Sequence, residues 1–262
     1  MNILEKIIGH KKSEVAEAKM VTPAAELERR PFFSRPVLSL RASLGDPGKS
    51  GIIAEFKRKS PSKGVINDKV TVLEVTKGYA EAGAACLSVL TDRQFFGGSS
   101  EDLQAARVNV LPILRKDFII DEYQILEARA IGADVILLIA ACLKPVEVRR
   151  LASFAASLGL EVLLEIHSEE ELDHICDATP VVGVNNRDLK TFTVDVERSI
   201  RLSQQIPKDK LLIAESGINR VETIWHMRDS GFHGFLVGEH FMKEQDPAIA
   251  FASFVNQLKG RR

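Results

Sequence analysis

Three cysteines are all this chain holds, Cys86, Cys142 and Cys176, and they lie far apart with no CxxC pair and no metal-ligand spacing. That pattern excludes a disulfide framework and suits a reducing cytoplasm, where each is most simply a small buried apolar residue. A surplus of either charge is missing too. Lys and Arg number 35 against 36 Asp and Glu, a net charge of −1. Such balance gives no electrostatic reason to expect nucleic acid or an anionic membrane as partner. The longest apolar run, Val135–Leu143, falls far short of the ~20 residues of a membrane-spanning helix. The opening residues, MNILEKIIGHKKSEVAEAK, are too charged for a signal-peptide core. These absences leave a cytoplasmic location as the expectation. Absent as well are the GxGxxG nucleotide fingerprint, the GxSxG nucleophile elbow and any metal-spaced His/Cys/Asp cluster.

What remains is a soluble globular composition, 45% hydrophobic and 27% charged over 262 residues. From Gly51 onward short apolar runs alternate with amphipathic stretches. The runs are 52–56, 86–90, 110–114, 134–139, 161–166, 181–185, 211–214 and 234–237. Helical patterns sit between them, at 72–82, 100–107, 122–131, 144–158, 168–177, 194–205 and 220–230. Glycines at 83, 132, 159 and 231 stand just past helix ends, the position that favours a left-handed residue. Strands apolar throughout, separated by helices, imply a parallel sheet covered on its outer side. Eight such units predict an α/β fold, a (β/α)8 TIM barrel over residues 51–262. A doubly wound open sheet is the competitor, and it would use fewer strands and a glycine fingerprint. Residues 1–50 stand outside the pattern as an N-terminal helical extension. Ile3, Leu4, Ile7, Ile8 and Val15 trace one helical stripe, and 23–30 reads as a second short helix. The extension either packs on the barrel's outer wall or forms a lid across one mouth.

In this fold the working residues sit at the C-terminal ends of the strands. The first run ends IIAEFKRKSPS, with Glu55, Lys57 and Lys59 at alternate positions, so that on a strand they share one face. Such a row is costly to bury without a partner or ligand. Later runs end in Lys116, Glu165, Asn185–Arg187 and Glu215, whereas the opposite strand ends carry ordinary surface residues. Glu55, Lys57, Lys116, Glu165, Asn185 and Glu215 thus mix acids and bases in one mouth, where mutual pKa perturbation suits acid–base catalysis. Ser216–Gly217 after the seventh run and Gly238 after the eighth mark a phosphate site, with Lys59, Ser60 and Arg187 as further donors. His167 and His240 read as hydrogen-bonded bystanders and stay outside the catalytic set.

The successive segments IIAEFKRKSPS, LSVLTDRQFFGG, PILRKDFIIDEYQILEARAIGADVILLI, LEVLLEIH, VGVNNRDL, LIAESGI and FLVGEHFM resemble the strand-end motifs of indole-3-glycerol phosphate synthase. The likeness covers essentially the whole chain. It implies a carboxy-lyase of tryptophan biosynthesis whose substrate is 1-(2-carboxyphenylamino)-1-deoxyribulose 5-phosphate, with no cofactor and no metal. It implies Lys116 as the acid at the attacked carbonyl, and Glu165 and Lys57 as the pair serving dehydration. Spacing alone does not divide the proton transfers between the two lysines. Glu55 would balance their charge, Asn185 and Glu215 would hold substrate hydroxyls or nitrogen, and Phe96 and Phe118 would wall the aromatic ring. Ser216, Gly217, Gly238 and the Glu239 main chain would bind phosphate. The Glu239 carboxylate is then expected to face outward. The partner expected is a small sugar phosphate, and the assembly a monomer or weak homodimer.

Overall fold

The computed structural model describes residues 2–188 and 193–260. Eight parallel strands close into a barrel in chain order: Ile52–Phe56 (β1), Cys86–Leu90 (β2), Ile113–Lys116 (β3), Val135–Ile139 (β4), Glu161–Ile166 (β5), Val181–Asn185 (β6), Leu211–Glu215 (β7) and Gly234–Val237 (β8). Closure is made where Ile52, Ile53 and Ala54 of β1 lie opposite Phe235, Leu236 and Val237 of β8. The (β/α)8 barrel predicted by the alternation is the architecture found. Five of the eight strands match their apolar runs residue for residue, because a strand buried on both faces leaves an unbroken hydrophobic run.

Alternation along each strand sorts the side chains into two sets. Outward residues such as Ile52, Ala54, Phe56, Leu87, Ile136, Leu164 and Val182 meet the surrounding helices. Inward residues Ile53, Leu114, Leu137, Leu163, Val181, Ile213 and Leu236 fill the barrel as a second cluster. Two residues further along the same inward faces come Glu55, Lys116, Glu165, Glu215 and Gly238, and Asn185 stands four residues past Val181 with Gly183 between them. The inner apolar layer and the polar mouth are thus consecutive layers of one pattern.

Two elements depart from expectation. The third strand begins at Ile113 and reaches Lys116, not 110–114. Pro112 has no N–H for the ladder, and Val110 is 87% exposed in the preceding turn. Residues 168–177 form only a 3-10 turn, Glu169–His174. There the Glu171 carboxylate accepts from the His167 N–H at 2.6 Å, and short i→i+3 bonds such as Ile175 N–H to Leu172 O replace the α pattern.

The first 50 residues serve both ends of the barrel. Helix α1 (Ile3–Val21) is opened by a capping box between Asn2 and Glu5 and buries Ile7, Lys11 and Val15. A lysine therefore occupies the middle of the predicted apolar stripe, while Ile3 is exposed. Tyr123 donates its hydroxyl to Ala18 O and Thr22 O at 3.0 and 2.7 Å, fixing the end of α1 against the helix Glu122–Ile131. After the short helix α2 (Ala24–Leu27), helix α3 (Leu40–Leu44) places Leu40 in the inner cluster at the strands' N-terminal ends. Arg41 N–H donates to Glu161 there, and Ser43 donates to Ala85 O. Helix α1 packs against the helix Glu122–Ile131 and reaches the turns after β2 and β3 through Lys11, while α3 plugs the bottom of the barrel, a role its composition did not announce. Among the described residues no helix is long and apolar enough to cross a membrane.

Candidate active site

At the C-terminal mouth lies a cavity of about 1000 Å³, counting its open entrance. Glu55, Lys57, Lys116, Asn185, Glu215, Arg187, Phe96 and Phe118 line it, together with Ser216, Gly217, Gly238 and Glu239. Glu165 lies directly beneath, its carboxylate 3.4 Å from Lys116 Nζ. Lys116 is also 3.6 Å from Glu215. Glu55 accepts an ion pair from Lys57 at 2.8 Å. Asn185 donates to the second oxygen of Glu165 at 3.0 Å and accepts from the Arg187 N–H at 3.0 Å.

The carboxylates of this cluster are driven apart in proton affinity. Burial would raise Glu165, but Lys116, His167 and Asn185 outweigh it and hold the group well below the usual carboxylate range. Glu215 is pushed up to about 8, first by burial and then by the neighbouring charge of Glu165. Its Oε1 has no hydrogen-bond partner among the described residues. Near neutrality Glu165 is therefore ionised and Glu215 carries a proton. Burial would lower Lys116, yet the charges of Glu165 and Glu55 keep it raised and cationic near neutrality, and Glu215 adds to them once it ionises. Glu55 is held low against burial by Lys57 and Lys116.

Local sequence explains how these groups fit. A Cβ at Gly183 would run into the Glu215 carboxylate, and one at Gly238 would meet Glu55 at 2.6 Å. Ser216 is the one non-glycine described residue with positive φ, 68°, and Gly217 follows at 70°. Asn186, fully buried, donates to Ser216 O at 2.8 Å and so holds this turn. Phe96 and Phe118 stand with ring centres 5.9 Å apart.

Not every expected residue reaches the cavity. Lys59 turns away and donates to Gln94 O at 2.8 Å, because its stem is held across Gly97. Ser60 faces Ser62 in the small hairpin that follows β1. The chain leaves the barrel after Phe56, so the alternation that aims Glu55 inward does not extend to Lys59. Glu239 lines the entrance, with its carboxylate 3.9 Å from Lys63 and 4.0 Å from Arg187 at the half-open edge. His240 packs edge-on against Phe241 and Phe254.

His167 is more than a bystander. Its Nε2 is 3.1 Å from Glu165 and its Nδ1 is 3.4 Å from Glu171. Burial would lower it, but the two glutamates raise it to about 10, so it is cationic and helps keep Glu165 ionised. The signal for it was position: two residues past Glu165 and four before Glu171. Gly183 and Asn186, unassigned by sequence, are seen only from the packing around Glu215 and Ser216.

A cavity lined by paired carboxylates and ammonium groups at the C-terminal mouth of a closed parallel barrel places this chain among the (β/α)8-barrel proteins with the layout of an enzyme. Comparison with known proteins narrows that class. The family model described as indole-3-glycerol phosphate synthase matches residues 4–254. Proteins of that name are 47% identical in Bacteroides thetaiotaomicron, across 98% of this chain and 99% of the relative, and 45% identical in Bordetella pertussis, across 97% and 99%. This chain belongs to the indole-3-glycerol phosphate synthase family. A solved tryptophan synthase alpha-subunit from Pyrococcus furiosus matches with a TM-score of 0.62 at 15% identity, across 81% of this chain and 99% of that one, a likeness of fold alone.

Proposed function

We propose that the protein converts 1-(2-carboxyphenylamino)-1-deoxyribulose 5-phosphate to indole-3-glycerol phosphate, carbon dioxide and water. Family membership supports the reaction, and the Lys116–Glu165–Glu215 cluster is the observation that carries its chemistry. The ring carbon that bears the carboxylate attacks the ribulose C2 carbonyl, whose oxygen gains negative charge. Lys116, held cationic beside Glu165, gives that oxygen its proton. Carbon dioxide then leaves, and its bonding electrons restore the aromatic ring. Glu165 takes a proton in the dehydration, and Lys57, anchored by Glu55, protonates the departing hydroxyl. The order is physically coupled. Once Lys116 has lost its proton, the cation that depresses Glu165 is gone, and Glu165 becomes a stronger base.

Glu215, carrying its proton, donates a hydrogen bond to a substrate hydroxyl or nitrogen, and Asn185 assists. The backbone at Ser216–Gly217 and Gly238–Glu239 receives the phosphate, aided by Arg187 at the entrance. Phe96 and Phe118 flank the anthranilate ring, with Leu90, Leu137 and Ile139 also lining the cavity. Lys59 and Ser60 take no part in this reading.

The test is incubation of the purified protein with the carboxyphenylamino-deoxyribulose phosphate, without added cofactor or metal, while indole fluorescence is followed. Rising fluorescence with stoichiometric carbon dioxide release is expected. Tight binding without turnover would make the chain a phosphate-ligand binder, and a borohydride-trapped adduct on Lys57 or Lys116 would point to Schiff-base chemistry instead.

A further inference from the structure

We propose that Lys11 of the N-terminal helix is a positioning residue for the aromatic wall of the site. Lys11 is fully buried, and its ammonium group lies 3.0 Å from Asp117 and 3.1 Å from Asp92, with Glu14 3.0 Å away on its own helix. A buried lysine is costly unless it is paired, and here it is paired with two carboxylates that are themselves sealed.

Each of those carboxylates holds the backbone of one wall residue. Asp92 accepts from the Phe95 and Phe96 N–H groups at 2.7 and 3.2 Å and so caps the turn 93–96 that presents Phe96. Asp117 accepts from the Phe118 N–H at 2.8 Å and from the Thr91 hydroxyl at 2.5 Å, while Arg115 approaches its second oxygen at 3.3 Å. Those carboxylates follow β2 and β3, and no covalent path shorter than the chain between them links the two turns. One ammonium group from outside the barrel bridges them. The Thr91–Asp117 bond and the β2–β3 ladder hold the strand ends together, and beyond them Lys11 sets the separation of Phe96 and Phe118, and thereby the slot for the aromatic end of the substrate. The phosphate end, at Ser216–Gly217 and Gly238, lies on β7 and β8 and is independent of it.

The inference rests on the substrate reading above, and the test separates the two. Lys11→Met keeps the volume and removes the charge. For that variant KM for the carboxyphenylamino-deoxyribulose phosphate is expected to rise about tenfold with kcat within about threefold. Inhibition by anthranilate should weaken in step, while inhibition by inorganic phosphate stays as in wild type. A folded variant with unchanged KM, or with both inhibitors weakened equally, would overturn the proposal. Should Lys11→Met fail to fold, Asp92→Asn, which retains the capping oxygen, is measured in the same way. It should shift KM and anthranilate in the same direction by a smaller factor, and no shift would equally reject the idea. If the wild-type protein does not turn over the substrate, the substrate reading fails by itself. The wall is then tested by direct binding of anthranilate and phosphate to wild type and Lys11→Met.

Discussion

The two ends of the barrel use the same kinds of group to opposite effect. At the bottom, Asp134 is fully buried and every lone-pair direction is used. One oxygen accepts from Leu38 N–H at 2.8 Å and Arg35 at 2.5 Å, the other from Ile113 N–H at 2.8 Å and from Arg107. At the mouth, Glu215 is as deeply buried, yet one of its oxygens has no partner among the described residues and its proton is retained to about pH 8. A saturated buried carboxylate ties chain segments together and does nothing else. An unsaturated one keeps a proton and a lone pair ready for a substrate. The difference is between stability and reactivity, set by how many donors the backbone delivers.

Lys116→Ala breaks the reactive end most directly. Turnover should fall to no more than roughly a few per cent of wild type, with the circular dichroism spectrum preserved. A variant with more activity than that would remove Lys116 from the acid's role. Asp134→Ala attacks the other end. It strands Arg107 and the Ile113 N–H and should cost about 3–5 kcal/mol, read as a melting-temperature loss of ~10 °C, while KM at 25 °C stays near wild type. A rise in KM without loss of melting temperature would reverse the assignment of the two ends.

Glu215→Gln sharpens the contrast. The folded-state pKa is raised above the unfolded carboxylate value, so the native protein binds a proton that the unfolded chain releases. Native stability therefore falls as pH climbs from about 4.5 toward 8. Glutamine mimics the protonated form and removes that penalty. Calorimetry should show a melting-temperature gain for the variant that is at least ~4 °C larger at pH 8 than at pH 5. An equal gain at both pH values would mean that Glu215 is ionised in the native protein. The smallest effect is expected from Glu239→Ala, whose carboxylate already faces Lys63 and Arg187 at the entrance. Substrate affinity should change less than about threefold, because only the main chain is used. A large gain in affinity would show the carboxylate repelling phosphate.

Much of this was written along the chain. Alternation and burial on both faces are local properties, so the apolar runs gave the eight strands, and continuing the same alternation to the strand ends gave Glu55, Lys116, Glu165, Asn185 and Glu215. The motifs that resemble the synthase family are runs of the same kind. Lys59 shows where that logic stops. Alternation holds only while the chain remains in the sheet, and β1 ends at Phe56.

Other features depend on segments far apart in sequence and could not be read from any one of them. Lys11 in an apolar stripe looks like an interruption until Asp92 and Asp117 close around it. Leu40 looks like an ordinary helix residue until it fills the barrel's lower end. The proton on Glu215 depends on Glu165 and on Gly183 leaving room for the carboxylate, contributions from three different strands. Sequence by itself determined the barrel, its strand order and the inward row of ionisable groups, because each follows from the backbone's two-residue period and from burial. Only the tertiary structure decided which of those groups are charged and what the first fifty residues hold in place, because desolvation and Coulomb interactions depend on distances through space and not on separation along the chain.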